Sequence, residues 1–340
     1  MVNKFYPAYS ADFARLLARL AGRKVAVVGH ARPDGDCIGS QVGLARVLAA
    51  AGHDVVCVNP DAVPRRLDFL AAGVTFLRTD DVFKDKCDYA AVFVDCADHA
   101  RAGDRLKVSF PRPVGAVDHH LSNVGFAEIN LVDSSSSATC EILTGLALDA
   151  GLKVDARAAQ AFYTGILTDT GQFRFASTSR RTFLLAAELM TCGARPPEVG
   201  FELYERESLG KLVLLQRYLA SLQMECGGRV CIGTLPAGVF EATGTSAEDT
   251  EGLVDYARAI DGVDVGVLIE ERSDGTVKAS LRAKDAAYRL DQIAAQFNGG
   301  GHACAAGLNL KQGTENFYAR LVAALAKQIA VVDAQGKAAK

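Results

Sequence analysis

Four short, Val-rich apolar runs constrain this chain more than any other feature: Lys24–Val28, Asp54–Val58, Tyr89–Val94 and Val114–Val117. Their apolar cores are continuous, not alternating, which is the pattern of strands buried on both faces. Helical stretches lie between them, at Gly39–Ala51, Pro64–Ala72 and a shorter piece near Arg101. This alternation predicts an α/β fold with a doubly wound, mainly parallel sheet. An amphipathic helix over Ser10–Ala21, with Ser10 as its N-cap, precedes the first run. Helices over Ser137–Ala150, Asp155–Leu167 and Ser179–Cys192 follow the last.

Further on the pattern changes. Arg195–Glu225 is helical and richer in charge, as expected of a connector. Arg229–Leu235, Val263–Glu271 and Thr276–Arg282 predict strands, with Ser273-Asp274-Gly275 as a hairpin turn. Helices at Ser246–Ile260, Leu290–Phe297 and Glu315–Ala330 complete a smaller α+β domain, and the tail DAQGKAAK is expected to fray. A chain of 340 residues exceeds what one core usually serves. The expected division is an N-terminal domain over 1–190, a helical linker over 191–226 and a second domain over 227–333.

Composition narrows the function classes. The net charge of −3 provides no basic excess for gripping long duplex nucleic acid, though it leaves short oligonucleotides and nucleotides open. The N-terminal sequence lacks the apolar core of a signal peptide, and no uncharged apolar run is long enough to cross a bilayer. The nine cysteines are odd in number and form no CxxC pair; Cys57, Cys96, Cys140 and Cys231 fall in apolar segments, as buried thiols do. A cytoplasmic location is expected.

Only six histidines occur, so their positions carry information. The first apolar run empties into GHARPDGDCIGS, which sets His30, Asp34 and Asp36 among three glycines. The third run ends in Asp95 and the fourth in Asp118-His119-His120. In open α/β sheets ligands bind beyond the carboxyl ends of the strands. A fourth element, GILTDTGQFRF, ends an apolar helix in Asp169, where the helix dipole favours a nearby cation. His30, Asp34, Asp36, Asp95, His119 and Asp169 exceed the needs of one ion and suit two divalent ions sharing a carboxylate. Imidazole and carboxylate without thiolate favours Mn²⁺, with Mg²⁺, Co²⁺ or Fe²⁺ as alternatives. A single strand-end Asp is more often a helix cap. Such ends on several elements together are hard to explain as caps. Asp34-Gly-Asp36 is not an EF-hand loop, because Ile38 stands where the third oxygen ligand belongs. His53 and His99 lack such company and are expected at the surface, whereas His120, beside a ligand, is expected to face substrate.

With these residues assembled, the chain resembles the DHH/DHHA1 phosphoesterase superfamily. Asp118-His119-His120 is the naming motif, and GHARPDGDCIGS, VFVDCAD and GILTDTGQF are similar to its other metal motifs in order and spacing. VKASLRAK (Val277–Lys284) and FNGGGHACAAG (Phe297–Gly307) resemble the DHHA1 domain. Size and layout look most like the NrnA-type nano-RNases, which cleave short RNA oligonucleotides (nano-RNA, pApA) to mononucleotides and dephosphorylate 3′-phosphoadenosine 5′-phosphate (pAp) to AMP. The resemblance implies that His30 and Asp34 hold one ion, that Asp36, His119 and Asp169 hold the other, and that Asp95 bridges them. It implies catalytic roles around Asp95, Asp118 and His120, with Asp118 orienting its neighbours. Ser280, Arg282, Gly300, Gly301 and His302 are the implied substrate-binding residues, and a homodimer through the N-terminal domain is an expectation from the resemblance alone. Two positions depart from the pattern: Asn298 replaces the first glycine before His302, and Ala283 stands where a serine is common. Both bear on substrate preference, not on the metal ligands.

Three rival readings carry less support. A RecJ-like single-strand exonuclease needs an extended basic channel with stacking aromatics, whereas aromatic residues here are 7% and Trp is absent. A cyclic or linear dinucleotide phosphodiesterase would use the same core, and linear pApA fits a chain without sensory or membrane segments. A catalytically dead binding protein would be expected to have lost ligands, and all six are present.

Overall fold

The computed structural model describes residues 4–84, 88–311 and 316–338. The chain divides into two compact units, Met1–Arg206 and Glu207–Lys340.

In the first unit, six parallel strands form one sheet: β1 (Val25–Val28), β2 (Val55–Asn59), β3 (Phe76–Arg78), β4 (Ala90–Val94), β5 (Gly115–Asp118) and β6 (Ile129–Val132). Their order is β3-β2-β1-β4-β5-β6. Chain connections therefore turn opposite ways from β1 and β4, leaving a crevice beyond those strand ends. Alternate residues of β1 serve two cores. Val25 and Val27 pack on one face, and Ala26 and Val28 on the other. That is why the strand is apolar at every position.

The helices of this unit are α1 (Ser10–Leu20), α2 (Gly35–Ala50), α3 (Asp68–Ala71), α4 (Thr79–Lys84), α5 (Asp104–Ser109), α6 (Thr139–Asp149), α7 (Ala156–Asp169), α8 (Arg180–Thr191) and α9 (Pro196–Gly200). Several expectations need correction. Ser10 is not an N-cap; the cap position is Tyr9, which makes no side-chain capping bond. The helix expected from Gly39 begins four residues earlier, because the Asp34 carboxylate accepts from Cys37 N at 3.1 Å and caps it. Asp36 therefore lies in a first helical turn, not in a loop. Pro64–Ala72 is a 3₁₀ turn (Arg65–Leu67) followed by the single turn of α3. His99 is half-buried, not free at the surface. Its ring stacks on Phe126 at 5.2 Å and meets Phe93 edge-on.

The second unit opens with α10 (Leu209–Ala220), then builds a mixed sheet of β7 (Gln223–Glu225), β8 (Val230–Leu235), β9 (Val265–Glu271), β10 (Val277–Ala283), β11 (Gly300–His302) and β12 (Ala305–Leu310). The order is β11-β12-β10-β9-β8-β7, with only β8 and β9 parallel. Helices α11 (Val239–Thr243), α12 (Leu253–Ala259), α13 (Leu290–Ala295) and α14 (Phe317–Ala338) complete it. The single helix expected over Ser246–Ile260 is broken: a 3₁₀ turn over Ala247–Thr250 gives way at Gly252, whose φ is 83°. The tail expected to fray continues α14 to Ala338. Glu315, the expected start of that helix, lies outside the described residues.

Candidate metal centre

The first unit gathers its acids and imidazoles at the crevice. His30 follows β1, Asp95 follows β4, and Asp118 ends β5 with His119 and His120 behind it. Asp34 and Asp36 come from the start of α2, and Asp169 is the last residue of α7. Their ligand atoms form three overlapping groups, each within 4.8 Å: His30, Asp34 and Asp95; Asp36, His119 and Asp169; and Asp95, His119 and His120. Asp95 stands between the first two. Its oxygens lie 3.3 Å from His30 Nε2 and 3.6 Å from His119 Nε2. Its backbone φ of 58° is left-handed, a region Asp tolerates better than most residues.

The donor set fits divalent ions. His30 Nδ1 donates to the Ala31 carbonyl at 2.9 Å, so Nε2 is the nitrogen left to face the cluster. That nitrogen is buried, makes no aligned hydrogen bond and faces the carboxylates of Asp95 and Asp34. A bare lone pair aimed at carboxylate oxygens is repulsive, so either a proton or a metal cation must lie between them. The titration behaviour agrees. Burial pushes Asp36 up to about 7, with Asp95 adding to the rise and His119 opposing it. Burial likewise raises Asp169 to about 6. Burial disfavours a charged His119, yet the bond to Asp169 and the charge of Asp36 raise it to about 10. A cluster that holds protons this tightly is short of positive charge.

Supports surround the ligands. The α6 N-terminus donates Thr139 N and Cys140 N to Asp36 at 2.6 and 2.9 Å, and Thr139 Oγ1 donates to Asp95 at 3.1 Å. Asp118 accepts from His120 Nδ1 at 2.7 Å and from Asn123 Nδ2 at 2.7 Å. These bonds hold its carboxyl below the ordinary range despite burial. Glycines allow the close approach of helices: a Cβ on Gly39 would come within 2.5 Å of the Ala161 carbonyl.

In the second unit, strand register aligns the remaining candidates. Arg282, Ala305 and His302 form one row across β10, β12 and β11; Ser280, Gly307 and Gly300 form the next. Paired residues share a face, so the four expected residues other than Gly301 occupy one side with Ala and Gly between them. Ala279, Leu281 and Ala283 bury the opposite side. Asn298 adopts a φ of 57°, the conformation a glycine would take at this position.

Comparison with known proteins decides the family. Residues 24–166 match the DHH family N-terminal domain and residues 227–331 the DHHA1 domain. The bifunctional oligoribonuclease and PAP phosphatase NrnA of Thermus thermophilus is 34% identical over 285 residues, 84% of this chain and 83% of that protein. Its namesake in Bacillus subtilis is 28% identical, covering 83% of this chain and 87% of that protein. The chain belongs to the DHH/DHHA1 phosphoesterases. Members are hydrolytic enzymes, and this one is a metal-dependent hydrolase of phosphoesters by the same descent. A crystal structure of an exopolyphosphatase-related protein from Bacteroides fragilis is similar at a TM-score of 0.85 and 26% identity, covering 94% of this chain and 96% of that one. RecJ of Thermus thermophilus, crystallised with Mn²⁺, shares the fold at a TM-score of 0.52 and 16% identity, covering 95% of this chain and 56% of that one. As DHH proteins go, the residues that sequence reasoning missed are the supports: Thr139, Asn123, the Cys140 amide, and Arg101, whose Nη1 lies 3.1 Å from His120 Nε2. Only the serine-rich approach to α6, Ser134–Ser137, hinted at a polar helix start there.

Proposed function

We propose that this chain hydrolyses short oligoribonucleotides, pApA among them, to mononucleotides, and pAp to AMP, using two divalent ions, Mn²⁺ in preference to Mg²⁺ or Co²⁺. The gathering of six ligand residues into two groups that meet through Asp95 and His119, with His30 Nε2 buried against carboxylates, is the observation that carries the reading. His30 and Asp34 would hold one ion, Asp36, His119 and Asp169 the other, and Asp95 would touch both. Bound ions of this kind lower the pKa of water and offset charge on phosphoryl oxygens.

The protein's own groups do the rest. Asp118 fixes the His120 ring through Nδ1, which leaves Nε2 as the nitrogen that faces substrate. The α6 amides keep Asp36 in place, and Thr139 does the same for Asp95. Arg282 and His302 bind the terminal phosphate, where a guanidinium fork matches phosphate oxygens, and Ser280 and the glycines of β11 let it approach the backbone. Among the described residues no helix is long and apolar enough to cross a membrane.

The test is turnover by metal-stripped protein with Mn²⁺ restored, offered 5′-labelled RNAs of graded length and pAp. Mononucleotide release that is fastest on the shortest RNAs, and is abolished by Asp118→Ala with His119→Ala, supports the reading. Equal degradation of long single strands would replace it with a RecJ-like activity, and no hydrolysis of any substrate would remove it.

A further inference from the structure

Arg101 reaches the centre from a direction that no motif predicts. It lies on the 3₁₀ turn His99–Ala102, just past Asp95 and the end of β4. Its Nη1 is 3.1 Å from His120 Nε2, and His120 Nδ1 is in turn 3.7 Å from Asp95. The guanidinium is therefore one imidazole away from the carboxylate shared by the two ligand groups. Because His120 Nδ1 carries its hydrogen toward Asp118, Nε2 presents a lone pair and Arg101 donates to it.

Two features separate this arginine from a structural one. The first is its partner. Arg19, Arg46, Arg181 and Arg229 each end on a carboxylate. Among the described residues, no carboxylate lies at ion-pair distance from Arg101, although Asp95, Asp98 and Asp118 are neighbours in the fold. A neutral imidazole engages one of its five N–H donors, and such a bond is readily exchanged for a charged acceptor. The second is how firmly its turn is placed. The Asp98 carboxylate accepts from Ala100 N and Arg101 N at 2.7 and 3.1 Å. The Arg101 carbonyl accepts from Ala31 N at 2.8 Å, beside His30. The His99 ring is held between Phe126 and Phe93. The backbone is thus fixed to the ends of β1 and β4 while the side chain stops short of an ion pair.

We propose that Arg101 is a catalytic residue of the first unit: on substrate binding it leaves His120 Nε2 and donates to a non-bridging oxygen of the scissile phosphate. This rests on the phosphoester reading above, and it assigns to the DHH unit a phosphate-binding cation of its own. A planar fork opposite the ligand cluster would meet the charge that builds on the equatorial oxygens as the P–O bond breaks.

The experiment compares the full-length wild type, Arg101→Ala and Arg101→Lys after Mn²⁺ loading. Three quantities are measured: kcat and KM on pApA and on bis(p-nitrophenyl) phosphate, inhibition by inorganic phosphate, and Mn²⁺ affinity of the stripped protein by calorimetry. Loss of one such donor costs about 100- to 1,000-fold in kcat. The expected result is a loss of that order for Arg101→Ala on both diesters, phosphate inhibition weakened by about tenfold or more, and Mn²⁺ affinity within about threefold of wild type. Arg101→Lys, which keeps the charge but not the fork, should fall between. A loss below about fivefold overturns the proposal. So does a loss matched by an equal fall in Mn²⁺ affinity, which would make Arg101 a support of the ligand cluster. Phosphate inhibition of bis(p-nitrophenyl) phosphate hydrolysis reports on Arg101 even if no short RNA or pAp is hydrolysed, so the two readings fail separately.

Discussion

Replacing Gly165 with alanine should damage the metal centre without altering any ligand. Gly165 lies on α7 where α2 and α6 press closest. A Cβ there would overlap Cys140 Sγ and approach Asp36 Oδ1 to 2.8 Å. Ordinary contact begins at 3.4 Å, so the carboxylate oxygen must retreat by about 0.6 Å or the helices must part. Overpacking of this kind costs about 1–3 kcal/mol. For a unit of this size that is a fall in Tm of roughly 2–12 °C. The retreat of Asp36 also breaks its alignment with the Thr139 and Cys140 amides, and disturbing such outer partners typically weakens metal binding about 10- to 100-fold. Calorimetric titration of stripped protein with Mn²⁺, beside thermal melts with and without the ion, measures both effects. Gly43→Ala is the matched control. Its Cβ would overlap the Phe162 ring in the same α2–α7 contact, where no ligand is touched. The control should lower Tm and leave Mn²⁺ affinity within about threefold. Wild-type Mn²⁺ affinity in Gly165→Ala, together with a lowered Tm, would refute the claim that this close approach holds Asp36.

The stripped protein should respond to pH in a defined direction. Asp36 and Asp169 have folded values of about 7 and about 6 against an ordinary 3.8, so folding disfavours their ionisation and stability is lost as pH rises through that window. His119, raised from 6.5 to about 10, loses its favourable proton over the next window, in the same direction. The Tm gained on adding Mn²⁺ should therefore grow from pH 5.5 to pH 9, and a constant gain would contradict the assignment. In the second unit, Arg282→Ala should reduce kcat/KM on a dinucleotide by about 10- to 100-fold, as befits a lost charge-assisted bond. Mn²⁺ affinity and hydrolysis of bis(p-nitrophenyl) phosphate should stay within about twofold; parallel losses in all three would remove Arg282 from substrate binding. Arg181→Met would strand the fully buried Glu141, whose Oε1 accepts from Arg181 Nε at 2.8 Å. The expected cost is about 3 kcal/mol, measured by denaturant unfolding, and Glu141→Gln in the same chain should restore much of it.

The parallel sheet was legible because β1 and β4 are apolar throughout and β2 and β5 are apolar up to a polar last residue, and burial on both faces demands that. The two edge strands were not. Phe76–Arg78 is three residues long and partly exposed, and Ile129–Val132 alternates buried with half-buried positions. Neither displays the continuous run that marked the centre of the sheet. The start of α2 was hidden for a different reason. Pro33, Gly35 and Gly39 suppress a helical reading, yet Asp34 caps the helix and the glycines are what allow α7 to pack against it. Close packing overrode propensity. His99 lacks acidic company and so reads as a surface residue, while its partners, Phe93 and Phe126, are aromatic and the latter lies 27 residues further along the chain.

The ligands were easier to find than their supports, and chemistry explains the difference. Imidazoles and strand-end carboxylates are scarce residue types in telling places, so the sequence exposes them singly. Asp36, by contrast, is held by backbone amides of α6, more than a hundred residues away, and any residue but proline supplies an amide. What brings those amides within 3 Å is the absence of side chains at Gly39 and Gly165, a signal that has meaning only once two helices are known to cross there. The same holds for Arg101, one of many arginines until the pairing of β1 with β4 sets its turn beside His30. The centre thus depends on the α2–α6–α7 contact as directly as on its own carboxylates. Substitutions at glycines 39 and 165 should consequently track with metal affinity more closely than do substitutions at exposed charges nearer in sequence to the ligands.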